Sequence, residues 1–186
     1  MSRLLAAAAL CAFFYSSAGW AGHAEIAPAV ASGATLPDTL NQEFHVSTAQ
    51  LGAASTTTLG VVTGLSQALT AGKTYLCEAH LSVSTGSSSA GAKAGLVATN
   101  SLSATSISYT ALVYSGTTLS ANTTATALAA TSGGIGATAS VTDIFITGAI
   151  VVNAAGTINV EGAQNVSSST GTNFLINSTF SCVRVN

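Results

Sequence analysis

Along residues 64–83, Gly-Leu-Ser-Gln-Ala-Leu-Thr-Ala-Gly-Lys-Thr-Tyr-Leu-Cys-Glu-Ala-His-Leu-Ser-Val, apolar and polar positions alternate around a turn-forming Thr70-Ala71-Gly72. In the second half, Tyr75, Cys77, Ala79, Leu81 and Val83 fall on one face, with Thr74, Glu78, His80 and Ser82 on the other. A period of two marks a strand with one buried and one solvated face. The stretch predicts a strand, a tight turn in which Gly72 supplies the backbone freedom, and a second strand. The same signal recurs at 57–63, 73–85, 92–98, 107–114, 124–129, 140–152, 156–163 and 174–185. Turn-forming clusters at 84–91, 115–116, 132–136 and 167–172 separate these segments. No window predicts a helix; Ala125–Ala130 is Ala-rich but lacks caps and useful length.

Short strands with Gly/Ser/Asn turns predict an all-β, antiparallel two-sheet β-sandwich or jelly roll over residues 55–186. The interval from Gly64 to Gly72 is repeated from Gly148 to Gly156, which reads as two similar hairpins. The expected core is built of Ala, Val and Ile with Phe145, Phe174, Ile176, Phe180 and Cys182. So few large side chains stabilise a domain modestly, at about 25 cal/mol per Å² buried. The remaining apolar surface is therefore expected to meet other copies of the chain.

Two segments precede this domain. Residues 1–21 have Arg3, an apolar run from Leu4 to Tyr15 and then small residues, the pattern of a secretory signal peptide. The run is too short for a stable membrane span, which needs about 20 residues. Residues 22–54 hold both prolines, Pro28 and Pro37, and read as an extended arm or linker with a brief strand near Phe44–Ser47.

Charge changes the picture most. Only 5% of the residues are Asp, Glu, Lys or Arg, where a soluble domain carries about 25%. The four basic residues, Arg3, Lys73, Lys93 and Arg184, are scattered, and nucleic-acid binding needs them clustered. That partner is excluded. A surface of hydroxyls and amides suits a subunit within an assembly, or one outside the cytoplasm.

Candidate chemistry is sparse. Cys77 and Cys182 are a candidate disulfide pair, the alternative being two buried thiols. Glu78 and His80 share a strand face, so the carboxylate could orient the imidazole. A polar pair on the sheet surface is the plainer reading, since no Gly-x-Ser-x-Gly elbow supplies a nucleophile. Cys77-x-x-His80 has zinc-like spacing but points to opposite faces, and Asp143 stands without acidic neighbours. His23 and His45 are expected in solvent. Tyr109 or Tyr114, if exposed, could stack on a sugar, though strand tyrosines more often pack. The sequons at Asn122, Asn165 and Asn177 are expected by chance in a chain this rich in Ser and Thr. The expectation is no catalytic residue, no cofactor and no metal.

The segments Thr63-Gly64-Leu65-Ser66, Leu69-Thr70-Ala71-Gly72-Lys73-Thr74-Tyr75, Glu78-Ala79-His80-Leu81, Gly91-Ala92-Lys93, Ile146-Thr147-Gly148, Asn153-Ala154-Ala155-Gly156-Thr157, Ala163-Gln164-Asn165 and Asn177-Ser178-Thr179-Phe180 run in an order that resembles the C1q/TNF-like jelly-roll domain of bacteriophage virion proteins, found on tail fibres, spikes and head decorations. The resemblance covers residues 55–186 and implies a homotrimer about a three-fold axis, with no shared catalytic residues. It implies a non-enzymatic virion surface subunit, with other virion proteins and a host surface glycan as further partners. The leader departs from it, because virion parts are not normally secreted. The alternatives are an exported, pilin-like bacterial surface adhesin subunit and a secreted glycan-binding module.

Overall fold

The computed structural model describes residues 42–129 and 133–185. The signal-peptide reading of residues 1–21, the first part of the arm and His23 lie outside the described residues. Twelve strands run through the described part: β1 Gln42–Val46, β2 Leu51–Ala53, β3 Gly60–Leu69, β4 Thr74–Thr85, β5 Ala92–Thr99, β6 Ser103–Ser115, β7 Thr118–Ala125, β8 Ile135–Ala137, β9 Asp143–Ala154, β10 Gly156–Ala163, β11 Thr172–Phe174 and β12 Thr179–Arg184. They form two antiparallel sheets, and no helix occurs among the described residues. The larger sheet has the order β1-β12-β4-β9-β6-β7, with β11 pairing the end of β4 and β2 pairing β11. The smaller sheet has the order β3-β10-β5-β8.

The alternation read at residues 75–83 is observed. Tyr75, Cys77, Ala79, Leu81 and Val83 are all buried, and the polar set between them faces out. The expected hairpin is not. β3 belongs to the small sheet and β4 to the large one, so Thr70-Ala71-Gly72 is a corner between layers. β9 and β10 are divided in the same way, and β3 pairs β10 while β4 pairs β9. The Gly64/Gly72 and Gly148/Gly156 echo is therefore two corners lying side by side in one folded ribbon. Gly72 N–H donates to the Val152 carbonyl at 2.8 Å, and Val152 N–H donates to the Lys73 carbonyl at 2.8 Å. Gly72 takes φ 73° there, which its missing Cβ permits. The physical reason for a corner is that both strands carry an apolar row. Val62, Leu65 and Leu69 meet the β4 row across the core only if the chain crosses between sheets.

The β3 alternation slips by one residue between Val62 and Leu65, both fully buried, next to an irregularity in its pairing with β10. Gly64 sits in the slip at φ 94°. A Cβ there would lie 2.6 Å from the Val46 carbonyl oxygen, so glycine lets the chain after β1 press against β3. That segment is tied down by Thr48 N–H donating to the Thr63 carbonyl at 3.0 Å.

Two expected core residues are on the surface. Phe145 is 40% exposed because its neighbours Ile144 and Ile146 take the inward positions. A run of apolar residues satisfies either phase, and the branched pair fills the core. Ile176 is 61% exposed because the expected 174–185 strand is broken. Phe174 pairs with Val83 and Thr179 with His80. Residues 175–178 thus bulge outward where β4 supplies only Leu81 and Ser82. Phe174, Phe180 and Cys182 are buried as expected. β8 forms where the sequence predicted a turn, and β7 starts earlier than its expected segment.

The sheets are joined by polar as well as apolar contacts. Gln67 of β3 donates from Nε2 to the Cys182 carbonyl at 2.9 Å and accepts the Cys182 N–H on Oε1 at 2.7 Å. A buried amide placed this way satisfies two backbone groups of the facing layer. In β5 and β10 most positions are buried, including Lys93, Asn159 and Glu161. Burial holds the Lys93 ammonium below its ordinary pKa and pushes the Glu161 carboxyl above its own.

Candidate functional site

The outer face of the large sheet follows from strand parity. With Cys77 and Ala79 inward, β4 sends Leu76, Glu78 and His80 outward, and the ladder fixes what stands beside them. One row reads Val46, Thr179, His80, Phe145 and Leu112; the next reads Phe44, Ser181, Glu78, Thr147 and Thr110. A third runs Val183, Leu76, Ala149 and Ser108. Cross-strand neighbours on one face lie about 5 Å apart, so each row is a continuous strip.

The rows divide the face into two ends of different chemistry. At one end Leu76, Ala149, Val151 and Val183 adjoin, with Leu76 51% exposed, and Val185 N–H bonds the Thr74 carbonyl beside them. At the other end Phe44, 65% exposed, forms one bank of a trough. Glu78, His80 and Phe145 form the opposite bank, and the small residues Thr179 and Ser181 of β12 lie between. The trough has a volume of about 410 Å³. Its far bank is rigid. His80 Nε2–H donates to Asp143 Oδ1 at 2.9 Å, since a carboxylate only accepts. The His80 ring stacks face to face on Phe145 with centroids 4.4 Å apart. Tyr114 packs edge-on against Phe145 at 5.8 Å.

Cys77 and Cys182 stand directly opposite on β4 and β12, and their sulfurs are joined in a disulfide with the Cα atoms 4.0 Å apart. Glu78 and His80 share the outward face, but the carboxylate that orients His80 is Asp143, from a strand 63 residues away. Sequence reasoning passed over Asp143 because it was judged by its chain neighbours, whereas its partner is set by the β4–β9 register. Nothing in the periodicity of β9 alone announces that register. Phe44 and Phe145, the aromatic walls, were likewise missed as surface features. Tyr109 is buried, its hydroxyl bonded to the Leu96 backbone and its pKa raised by burial. Tyr114 is committed to Phe145. His45, expected in solvent, lies half-buried on β1 beside Phe180, with ring centroids 6.3 Å apart. Asn122 and Asn177 are exposed, while Asn165 donates to the Thr138 hydroxyl at 3.0 Å. Among the described residues no three His, Cys, Asp or Glu side chains converge as metal ligands would, and no helix is long and apolar enough to cross a membrane.

No protein-family model matches the chain, and neither a curated protein nor a solved structure is significantly similar to it.

Proposed function

We propose that this protein is a non-enzymatic structural subunit that works by self-association, a jelly-roll building block of a virion surface. The carrying observation is the aliphatic end of the outer sheet face, where Leu76, Ala149, Val151 and Val183 lie side by side. An exposed apolar patch on a chain with 5% charged residues has little electrostatic repulsion to keep copies apart. The strand orders support the jelly-roll part of the reading. β3-β10-β5-β8 faces β4-β9-β6-β7, and the chain crosses between sheets repeatedly, as two Greek keys require. The resemblance to C1q/TNF-like virion domains adds the expectation of three copies about one axis. Against catalysis, the imidazole of His80 is held by Asp143 and covered on one side by Phe145, with no hydroxyl bonded to it among the described residues.

An exported bacterial surface subunit is the second reading, and the disulfide favours it, because such bridges persist in oxidising compartments. Light scattering on the purified protein tests the shared claim. The wild type is expected at three times the chain mass, and Leu76→Asp, which puts a carboxylate into the patch, is expected as a folded monomer. A wild-type protein that stays monomeric at micromolar concentration would refute self-association.

A further inference from the structure

The trough over β12 differs chemically from the aliphatic end of the same face, and self-association leaves its chemistry unexplained. We propose that the trough binds a neutral sugar, one or two pyranose units of a larger glycan.

The trough lies on a sheet face, where the backbone of β12 is occupied by ladders to β1 and β4. An added peptide strand would need a free edge, so recognition here comes from side chains alone. Those side chains are of three kinds. Phe44 is an exposed aromatic ring on one bank, and the His80 imidazole, backed by Phe145, forms the other; an aromatic face attracts the weakly positive C–H groups of a sugar ring. Thr147, Thr179 and Ser181 carry hydroxyls that both donate and accept. Glu78 is a carboxylate that only accepts, and it suits the hydroxyl donors of a polyol.

The same inventory excludes other ligands. The lining holds Glu78, with Asp143 behind His80, and no lysine or arginine, so an acidic sugar or a phosphate would meet like charge. A fatty ligand would bury Glu78 and the hydroxyls without partners. The volume of about 410 Å³ lies within the roughly 300–1,000 Å³ range of small-ligand sites. The His80–Asp143 bond and the His80–Phe145 stack fix one bank before any ligand arrives, which lowers the ordering cost of binding.

Titration calorimetry with lactose, cellobiose, N,N′-diacetylchitobiose, sialyllactose and decanoate tests the proposal on the wild type and on Leu76→Asp. Saturable binding of a neutral disaccharide is expected, with sialyllactose bound no more tightly than lactose and decanoate inert. Phe44→Ala, at a largely exposed position, and Glu78→Gln should each weaken it about tenfold, the scale of one lost stacking or charge-assisted contact. Retention of sugar binding by Leu76→Asp would separate the trough from the association patch. No neutral sugar bound by either protein would overturn the inference, as would binding indifferent to Phe44→Ala or preference for sialyllactose or decanoate. Intact oligomers that bind no sugar would remove this inference and leave self-association standing.

Discussion

Cutting the covalent tie between β4 and β12 is the most informative perturbation of the fold. Cys77 and Cys182 are separated by 105 residues and enclose most of the sandwich in one loop. Chain-entropy arguments assign a closed loop of that length roughly 4.7 kcal/mol of stabilisation at 25 °C, by restricting the unfolded chain. The packing term is small by comparison if alanine replaces both residues, because the sulfurs sit within a core already dense with Ala and Val. The double variant Cys77→Ala, Cys182→Ala should therefore lose about 3–5 kcal/mol in urea unfolding. Its denaturant slope should steepen, since an uncrosslinked chain exposes more surface when unfolded. Both cysteines are buried, at 1% and 0% exposure, so the wild type should resist reductant while folded and react once urea opens it. Two results would refute this reasoning: a variant within about 1 kcal/mol of wild type, or free thiols detected by alkylation and mass spectrometry without reductant.

The remaining predictions concern backbone and charge. Gly91→Ala should prevent folding or strongly reduce soluble yield, because the residue sits at φ 60° and an added Cβ would overlap the Ala137 carbonyl oxygen; a normal melting curve would show that the 137–138 segment can move away. Glu161→Gln should raise the melting temperature at neutral pH. The folded-state pKa of Glu161 lies above its ordinary 4.5, so stability is fullest below 4.5 and falls as pH rises through the folded value. The variant should flatten that decline, and an unchanged pH profile of thermal unfolding would mean that solvent still reaches the carboxylate.

Local chemistry was legible in the sequence and long-range placement was not. The β4 face could be read because its apolar and polar residues alternate from Tyr75 to Val83 with Leu76 as the one exception. Residues 143–146 could not, because Asp-Ile-Phe-Ile carries apolar groups in both phases, and only the opposing sheet selects Ile144 and Ile146 over Phe145. The Thr70–Gly72 turn was correctly placed but wrongly interpreted: a glycine at positive φ permits a hairpin and a corner alike. The trough escaped notice for the same reason as the corners. Its banks come from β1, β4 and β9, and only strand order brings Phe44 within one strip of Glu78.

The position of β4 has a consequence for biosynthesis. Its ladder partners are β9 on one edge and β11 and β12 on the other, at Asp143–Ala154, Thr172–Phe174 and Thr179–Arg184. During translation β4 leaves the ribosome with both edges open, and neither can close until much of the later chain has been made. Folding of the large sheet is thus a late event, slow for a chain of this length because its contacts join distant residues. In the interval the exposed edges invite pairing with neighbouring nascent chains, and β4 itself carries one acidic residue, Glu78, and no lysine to discourage it.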